Sequence, residues 1–456
     1  MKKSTKKLLS ILLCGALLFA FSSIAFAEGT KDYTIKSCYD DVIWEGDNAW
    51  GAYKGNLHSH STYSDADVDL ATMVKEYYNQ DYAFLANADH GVTGVEWNRP
   101  QPFVPLYAYQ YLLGNKVAHL TDEEYEGITT GTYPLYDGNI RNEKMVCVTG
   151  ANELNNMTLT KSHVNGFFLP EGVGNGYGGS ENGFEQAIAF VEKHGGLSHI
   201  NHPGDWLESN SDIGSVSDPE NVHFFADILL RYDSCLGIEV FNENNGVTGY
   251  DRILWDNLLM ETLPYGKNVI GFSNTDAHNT RDIDTSFSVF MMEENDVEHI
   301  KETMQSGAFF AVTRILRAND IIGPAEEIDA RNTELPYPIF TKVAVDGHTI
   351  SVNTQDADTI QWIADGKVIK TESVAGNASA SINLDEIEGA EDFTYVRAEL
   401  FGEGGICLTQ AFAIDDGAEK PSYTVVKDFM SFIDDILFWL KSSLIWTIVV
   451  EIYRAI

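Results

Sequence analysis

Nine residues of metal-ligating type recur at one kind of place along this chain, beside a short apolar run. Residues 55–57 deliver His58-Ser59-His60, with Asp65 close behind, and residues 82–86 lead to His90, preceded by Asp89, which is not counted among the nine. Residues 145–149 lead to Glu153, Ile200 precedes Asn201-His202-Pro203, and Phe272 precedes Asp276-Ala277-His278. His163 stands at the start of the run 164–169. Where strands alternate with helices, chemistry collects at strand ends and in the loops after them, so position matters more than the number of histidines. A His-x-His pair at a strand end sets both imidazoles on one face, because alternate side chains of a strand point the same way. That suits a shared metal. Glu153 and Asp276 add what imidazole cannot, since a carboxylate can bridge two cations and neutralise part of their charge. Mixed His and carboxylate ligands suit zinc, manganese or iron better than calcium. Taken singly, a strand-end His is more often a hydrogen-bonded structural residue; nine in order on successive strand ends favour a metal site. His119, His194, His199, His223, His299 and His348 lack that setting and read as structural or exposed.

The apolar runs that must position these residues are 55–57, 82–86, 145–149, 164–169, 196–200, 237–241, 268–272 and 308–312. Between them, 70–78, 184–194, 222–232, 252–262 and 297–305 carry apolar residues at helical spacing. This alternation is that of βα units around a largely parallel sheet or barrel. Residues 96–144 form a long insertion rich in Tyr, Pro and Gly, read as a lid or pocket wall, and 175–183 read as a flexible loop. After Pro336 and Pro338 period-two runs take over, at 340–345, 349–353, 359–364, 368–371, 379–384, 394–400 and 406–412, with Asp365-Gly366 as a hairpin turn. A small antiparallel β-sandwich over 336–418 fits them, with Trp362 and Tyr395 in its core.

The 456 residues hold 30 Lys+Arg against 68 Asp+Glu, a net charge of −38, with 44% hydrophobic and 12% aromatic residues. That composition argues against disorder and against a nucleic-acid-binding surface, which needs basic side chains to neutralise phosphates. A bound cation is what would let so acidic a protein accept an anion. Residues 1–27 read as a secretory signal peptide: four lysines, an apolar stretch, then Ala25-Phe26-Ala27 before the expected cleavage. The chain is therefore expected to be secreted or held at the cell surface. Cys38, Cys147, Cys235 and Cys407 are widely spread without a CxxC and read as buried thiols. Residues 425–456 read as a hydrophobic helix interrupted by Asp434, Asp435 and Lys441, suited to contact with a membrane or cell envelope more than to a clean span.

The motifs Leu57-His58-Ser59-His60-Ser61 with Ser64-Asp65, Ala88-Asp89-His90-Gly91, Gly150-Ala151-Asn152-Glu153, His163-Val164-Asn165-Gly166, Asn201-His202-Pro203 and Asp276-Ala277-His278 resemble the PHP (polymerase and histidinol phosphatase) superfamily over residues 54–314. The exported CehA/McbA-type metallohydrolases are the branch that looks most similar. The resemblance implies an α/β fold, a distorted (β/α)7 barrel over 28–325 followed by the β-sandwich-like domain. It also implies two to three divalent transition metals (Zn, Mn or Fe) held by His58, His60, Asp65, His90, Glu153, His163, His202, Asp276 and His278, with Glu153 as the bridging carboxylate. Asn87-Ala88-Asp89-His90 replaces the usual Thr-Asp-His of the family pattern, and Ala66 stands where Gly often follows the Ser-Asp pair; neither change removes a ligand. The expected activity is hydrolysis of a phosphorylated small-molecule or polymer ester by a hydroxide that the metals activate, with Glu153 and Asp276 at the reacting centre. Arg281 and Lys161 are candidate phosphate contacts. Hydrolysis of carboxylic esters, amides or carbamates, and a non-catalytic metal-stabilised binding module, are the competing readings.

Overall fold

The computed structural model of the chain describes residues 32–100, 104–155, 162–174, 183–207, 213–242, 250–314, 335–376 and 378–424. The expected signal peptide, Lys161, loop residues 175–182 and the hydrophobic segment 425–456 lie outside the described residues.

The chain is a mixed α/β protein. Its elements run β1 (Thr34–Lys36), β2 (Gly51–Asn56), α1 (Leu70–Asn79), β3 (Phe84–Leu85), α2 (Val104–Leu113), α3 (Asp122–Thr130), β4 (Val146–Cys147), β5 (Asn152–Asn155) and β6 (His163–Phe167). They continue as α4 (Gly183–Lys193), β7 (Leu197–Ile200), α5 (Ile213–Val216), α6 (Pro219–Arg231), β8 (Cys235–Asn242), α7 (Asp251–Thr262), β9 (Ile270–Asn274), β10 (Ser286–Met292), α8 (Val297–Ser306) and β11 (Phe309–Thr313). Strands β12 (Ile339–Asp346), β13 (Thr349–Gln355), β14 (Ala357–Ala364), β15 (Lys367–Gly376), β16 (Ser379–Asn383), β17 (Tyr395–Gly402), β18 (Gly405–Leu408) and β19 (Phe412–Asp415) complete it.

Helix starts follow local chemistry. Asp69, Asp218 and Asp296 each accept a backbone N–H at the first turn of α1, α6 and α8, satisfying donors that the helix itself leaves unpaired. Thr121 and Glu124 close a reciprocal capping box on α3, and Gly131 ends it at φ 76°, where a Cβ would stand 2.7 Å from the Glu143 backbone.

Strands β5-β6-β7-β8-β9 form one sheet, and β4-β3-β2-β10-β11 belong to another. Parallel pairing holds for β2-β3-β4 and β7-β8-β9, but β5-β6-β7 and the pairs of β10 with β2 and β11 are antiparallel. The alternation in sequence suggests more parallel pairing than is present. Only seven residues separate β5 from β6, too few for the crossover of a dozen or more that parallel neighbours require. Leu57, Phe84, Phe167, Leu197, Phe272, Phe290 and Phe309 pack as one buried cluster drawn from both sheets. Isolated parallel bridges Ser59–Ala277 and His90–Glu153 join the sheets at the strand ends that carry the ligand candidates.

The first sheet does not stop at β11. It continues through β18, which pairs with β11, to β17, β19 and β1, with β14 and β15 attached through β17. Strands β12-β13-β16 form a separate small sheet. Trp362 and Tyr395 are fully buried, and Tyr395 donates to Asp256 of α7. Arg397 forks onto both Asp256 oxygens at 2.7 Å, and Arg252 reaches Glu399 at 3.0 Å, so buried charge ties α7 to β17. Cys38, Cys147, Cys235 and Cys407 are free thiols, and none of the described helices is long and apolar enough to cross a membrane.

Candidate metal centre

The chain bends after β2 at Leu57, and the Ser59–Ala277 bridge holds the next residues, so that His58 and His60, on either side of Ser59, meet at one place, both fully buried. Their Nε2 atoms lie 3.2 Å apart. Asp276 Oδ1 sits 3.2 Å from His58 Nε2 and 3.0 Å from His60 Nε2. Glu153 arrives from β5 with its two oxygens divided. Oε1 lies 2.8 Å from His163 Nδ1, 3.4 Å from His58 and 3.5 Å from His202, while Oε2 lies 3.1 Å from His90 Nδ1 and 3.2 Å from His60. Asp65 closes the outer side, 3.4 Å from His90 Nε2 and 3.5 Å from His278 Nε2.

Eight of the nine ligand candidates fall into four overlapping groups, His58–His60–Asp276, His58–Glu153–His202, His60–Asp65–His90 and His90–Glu153–His163, and His278 stands at their edge against Asp65. Bonds of about 2.0–2.2 Å to a shared cation would set neighbouring ligand atoms roughly 2.9–3.5 Å apart, the range in which most of these contacts fall. The donor set fits divalent transition metals.

Two of the ligand candidates sit in strained backbone. His202 has φ 27° and Asp276 φ 47°, left-handed conformations that non-glycine residues rarely adopt. Both are held there by hydrogen bonds, His202 N to Glu239 Oε2 at 3.1 Å and Asp276 N to His58 O at 3.0 Å.

Burial alone would raise the carboxyl pKa values and lower those of the imidazoles; proximity reverses most of this. Burial works against the Glu153 carboxylate, yet His163, His90 and His58 hold it well below its ordinary range. Asp276 and Asp65 are lowered in the same way, against burial, by His58 and His60 and by His90 and His278. His58, His60 and His278 are pushed up to about 10, burial being overcome by their carboxylate neighbours. His163 is lowered to about 4 by burial. Without a cation the cluster must carry protons on its imidazoles to balance its acids; a cation would take their place.

Supporting residues fix the orientation of the ligands. Buried Glu239 of β8 accepts from His58 Nδ1 at 2.9 Å, which leaves His58 Nε2 for the cluster. It is absent from the sequence-derived set, and its signal is a lone carboxylate inside the apolar run 237–241. Asp205 pairs with His202 Nδ1 at 3.2 Å, and Asn201 Nδ2 donates to Glu153 Oε1 at 2.7 Å. Asp89 turns away from the ligands and accepts from Ser61 N, Ser61 Oγ and Ser64 Oγ at 2.6–2.7 Å, holding the loop that carries Asp65. The 96–144 insertion packs on that same loop, with Gln110 Nε2 donating to Ser64 O and Ala66 O at 2.8 and 3.2 Å.

Arg281 is exposed and folded back onto Asn279 Oδ1. His119, His194, His223, His299 and His348 bond to Tyr63, Phe190, Glu261, Asp296 and Asp385. His199 is buried against Phe272, with ring centroids 4.7 Å apart.

No family model matches the chain, and no curated protein matches it either. Solved structures do. A two-domain protein from Bacteroides vulgatus, described as containing a predicted PHP-like metal-dependent phosphoesterase, aligns at 14% identity over 83% of this chain and 98% of its own, with a TM-score of 0.40. A lesion-specific endonuclease from Pyrococcus furiosus aligns at 14% identity over 56% of each chain, with a TM-score of 0.29. A proposed metal-dependent phosphoesterase from Bifidobacterium adolescentis aligns at 13% identity over 57% of this chain and 98% of its own, also at 0.29.

Proposed function

We propose that this protein is an exported, metal-dependent hydrolase of the PHP type, and that its substrate is a phosphate ester. One observation carries the reading: the two oxygens of Glu153 face different sets of histidines, as a carboxylate shared between cations would. His58, His60 and Asp276 would hold one cation, Asp65, His90 and His278 a second, and His163 and His202 a third, with Glu153 common to them. Bound there, divalent cations supply a water of lowered pKa and polarise the oxygens of the ester.

The chain's own residues do the rest. Glu239 and Asp205 hold His58 and His202 with one ring nitrogen toward the cluster. Asn201 restrains Glu153, and Asp89 holds the serines that place Asp65 at the outer rim, where its side chain is 47% exposed. Asp65 and His278, 33% exposed, are the cluster members a substrate in solution meets first. The resemblance of the motif series to PHP proteins favours phosphorus over carbon as the centre attacked.

The test is elemental analysis of the purified chain beside Asp276→Ala, followed by a panel of phosphomonoesters, phosphodiesters and carboxylic esters. Two to three transition metals per chain, fewer in the variant, with turnover of a phosphate ester, support the proposal. A folded chain that binds no metal after reconstitution, or turnover of carbon esters alone, sinks it.

A further inference from the structure

A cleft of about 780 Å³ opens beside β2 before that strand reaches His58, and Lys54, Arg141 and Arg314 stand in its wall. All three basic side chains are largely withdrawn from water, at 12%, 6% and 7% exposure. Asp284 is the buried carboxylate among them, 7% exposed, with Lys54 Nζ at 2.5 Å and Arg314 Nε at 2.7 Å. The other acids of the wall, Asp81 and Glu143, are exposed; Asp81 stands 3.6 Å from Arg141 Nε with its side chain 81% in solvent. Arg141 Nη1 donates to Tyr78 O at 3.0 Å and its guanidinium lies over the Tyr78 ring, but its buried Nε has no hydrogen-bond partner.

Lys54 and Arg314 therefore share one buried carboxylate, with Lys54 Nζ also donating to Gln80 O at 3.0 Å and Arg314 Nη1 to Leu335 O at 2.7 Å, while the acid beside Arg141 is the exposed Asp81. Charge is retained in a protein interior when it is paired, and here the pairing is incomplete. In a chain of net charge −38 a local surplus of buried positive charge does not follow from composition. Burial, helped by Arg314, outweighs Asp284 and lowers the Lys54 pKa, as a shortage of counter-charge would.

We infer that this cleft is a second ligand site, apart from the metal cluster, and that it takes a small molecule bearing a phosphate or carboxylate group. The Arg141 guanidinium, held flat by Tyr78, supplies a planar set of donors, and the Lys54–Arg314 pair supplies charge. The volume suits a metabolite carrying that group more than a bare ion.

Calorimetric titration of the full chain with inorganic phosphate and, separately, with succinate tests the assignment and separates the two anion types. With Asp276→Ala as the reference, so that binding at the metal cluster is set aside, one probe is expected to saturate at one site per chain and to bind at least about tenfold more weakly once Arg141→Met is added. Arg141→Lys, which keeps the charge, is expected to fall between the reference and Arg141→Met, with unfolding midpoints checking that each variant is folded. Saturation of the reference by neither probe, or binding that survives the addition of Arg141→Met in a folded chain, overturns the inference. Binding lost in Asp276→Ala but kept in Arg141→Met places the anion at the metal cluster and overturns it too.

Discussion

Glu239 Oε1 lies 2.9 Å from His58 Nδ1, while its Oε2 accepts from the His202 amide at 3.1 Å, so one buried carboxylate holds two ligand candidates that stand 144 positions apart in the chain. Asn274 and Asn242 donate to the same carboxylate at 2.8 and 2.7 Å. Outer partners of this kind fix the tautomer and raise the basicity of a ligating imidazole. Glu239→Gln is expected to weaken metal binding about 10–100-fold while the chain stays folded. Competition against a fluorescent chelator measures it; unchanged affinity would show that Glu239 is only a packing residue.

Glu153 is the group on which the cluster converges. Glu153→Gln keeps the shape and removes the charge, so at least one metal per chain should be lost. Turnover should fall roughly a thousandfold, the equivalent of several kcal/mol of charge stabilisation. Elemental analysis and single-substrate kinetics decide it; full metal content with normal turnover would remove the bridging role.

Arg397 and Asp256 make one of the buried polar contacts between α7 and β17. Arg397→Leu leaves Asp256 buried without its cation, and Glu399 with Arg252 alone, a change expected to cost about 3–5 kcal/mol. Denaturant unfolding should show a lower midpoint, and a shift below 1 kcal/mol would mean that water reaches the network.

Asp251 carries a pH signature. Burial, then the neighbouring Asp205, pushes its carboxyl well above the ordinary range, against weaker pulls from His202 and the Gly204 amide. The folded chain thus holds this proton at pH values where the unfolded chain, with a pKa of about 3.9, has released it. Stability from this group is present below the unfolded pKa and is lost as pH rises toward the folded one. Asp251→Asn should therefore be more stable than wild type at neutral pH, with the difference shrinking toward pH 4. Urea midpoints for both chains at pH 4, 5.5 and 7 test this; a gap that is constant with pH would contradict it.

How far the sequence could be read depended on the local pattern. Strands that end in a polar ligand announce themselves, because an apolar run stops and a His or acid follows; this made His58, His60, His90, His202 and His278 visible. Strand β10, Ser-Phe-Ser-Val-Phe-Met-Met, is buried along its whole length and ends at the exposed Glu293-Glu294, outside the cluster, so the same local signal does not mark it as part of the site. Asp89 and His90 are neighbours with equal claims in sequence. Only the fold sends one to the serines of the Asp65 loop and the other to Glu153.

By itself, the sequence determined the types and order of the nine ligand candidates, the alternation of strands and helices, and the change to period-two strands after Pro336, because each depends on residues close together in the chain. Tertiary structure alone decided that Glu239 supports His58, that β18 extends the first sheet through β11, and that Lys54, Arg141 and Arg314 surround one cleft. These contacts join residues tens to hundreds of positions apart, and strand pairing and burial, which no local spacing encodes, are what bring them within a few ångströms.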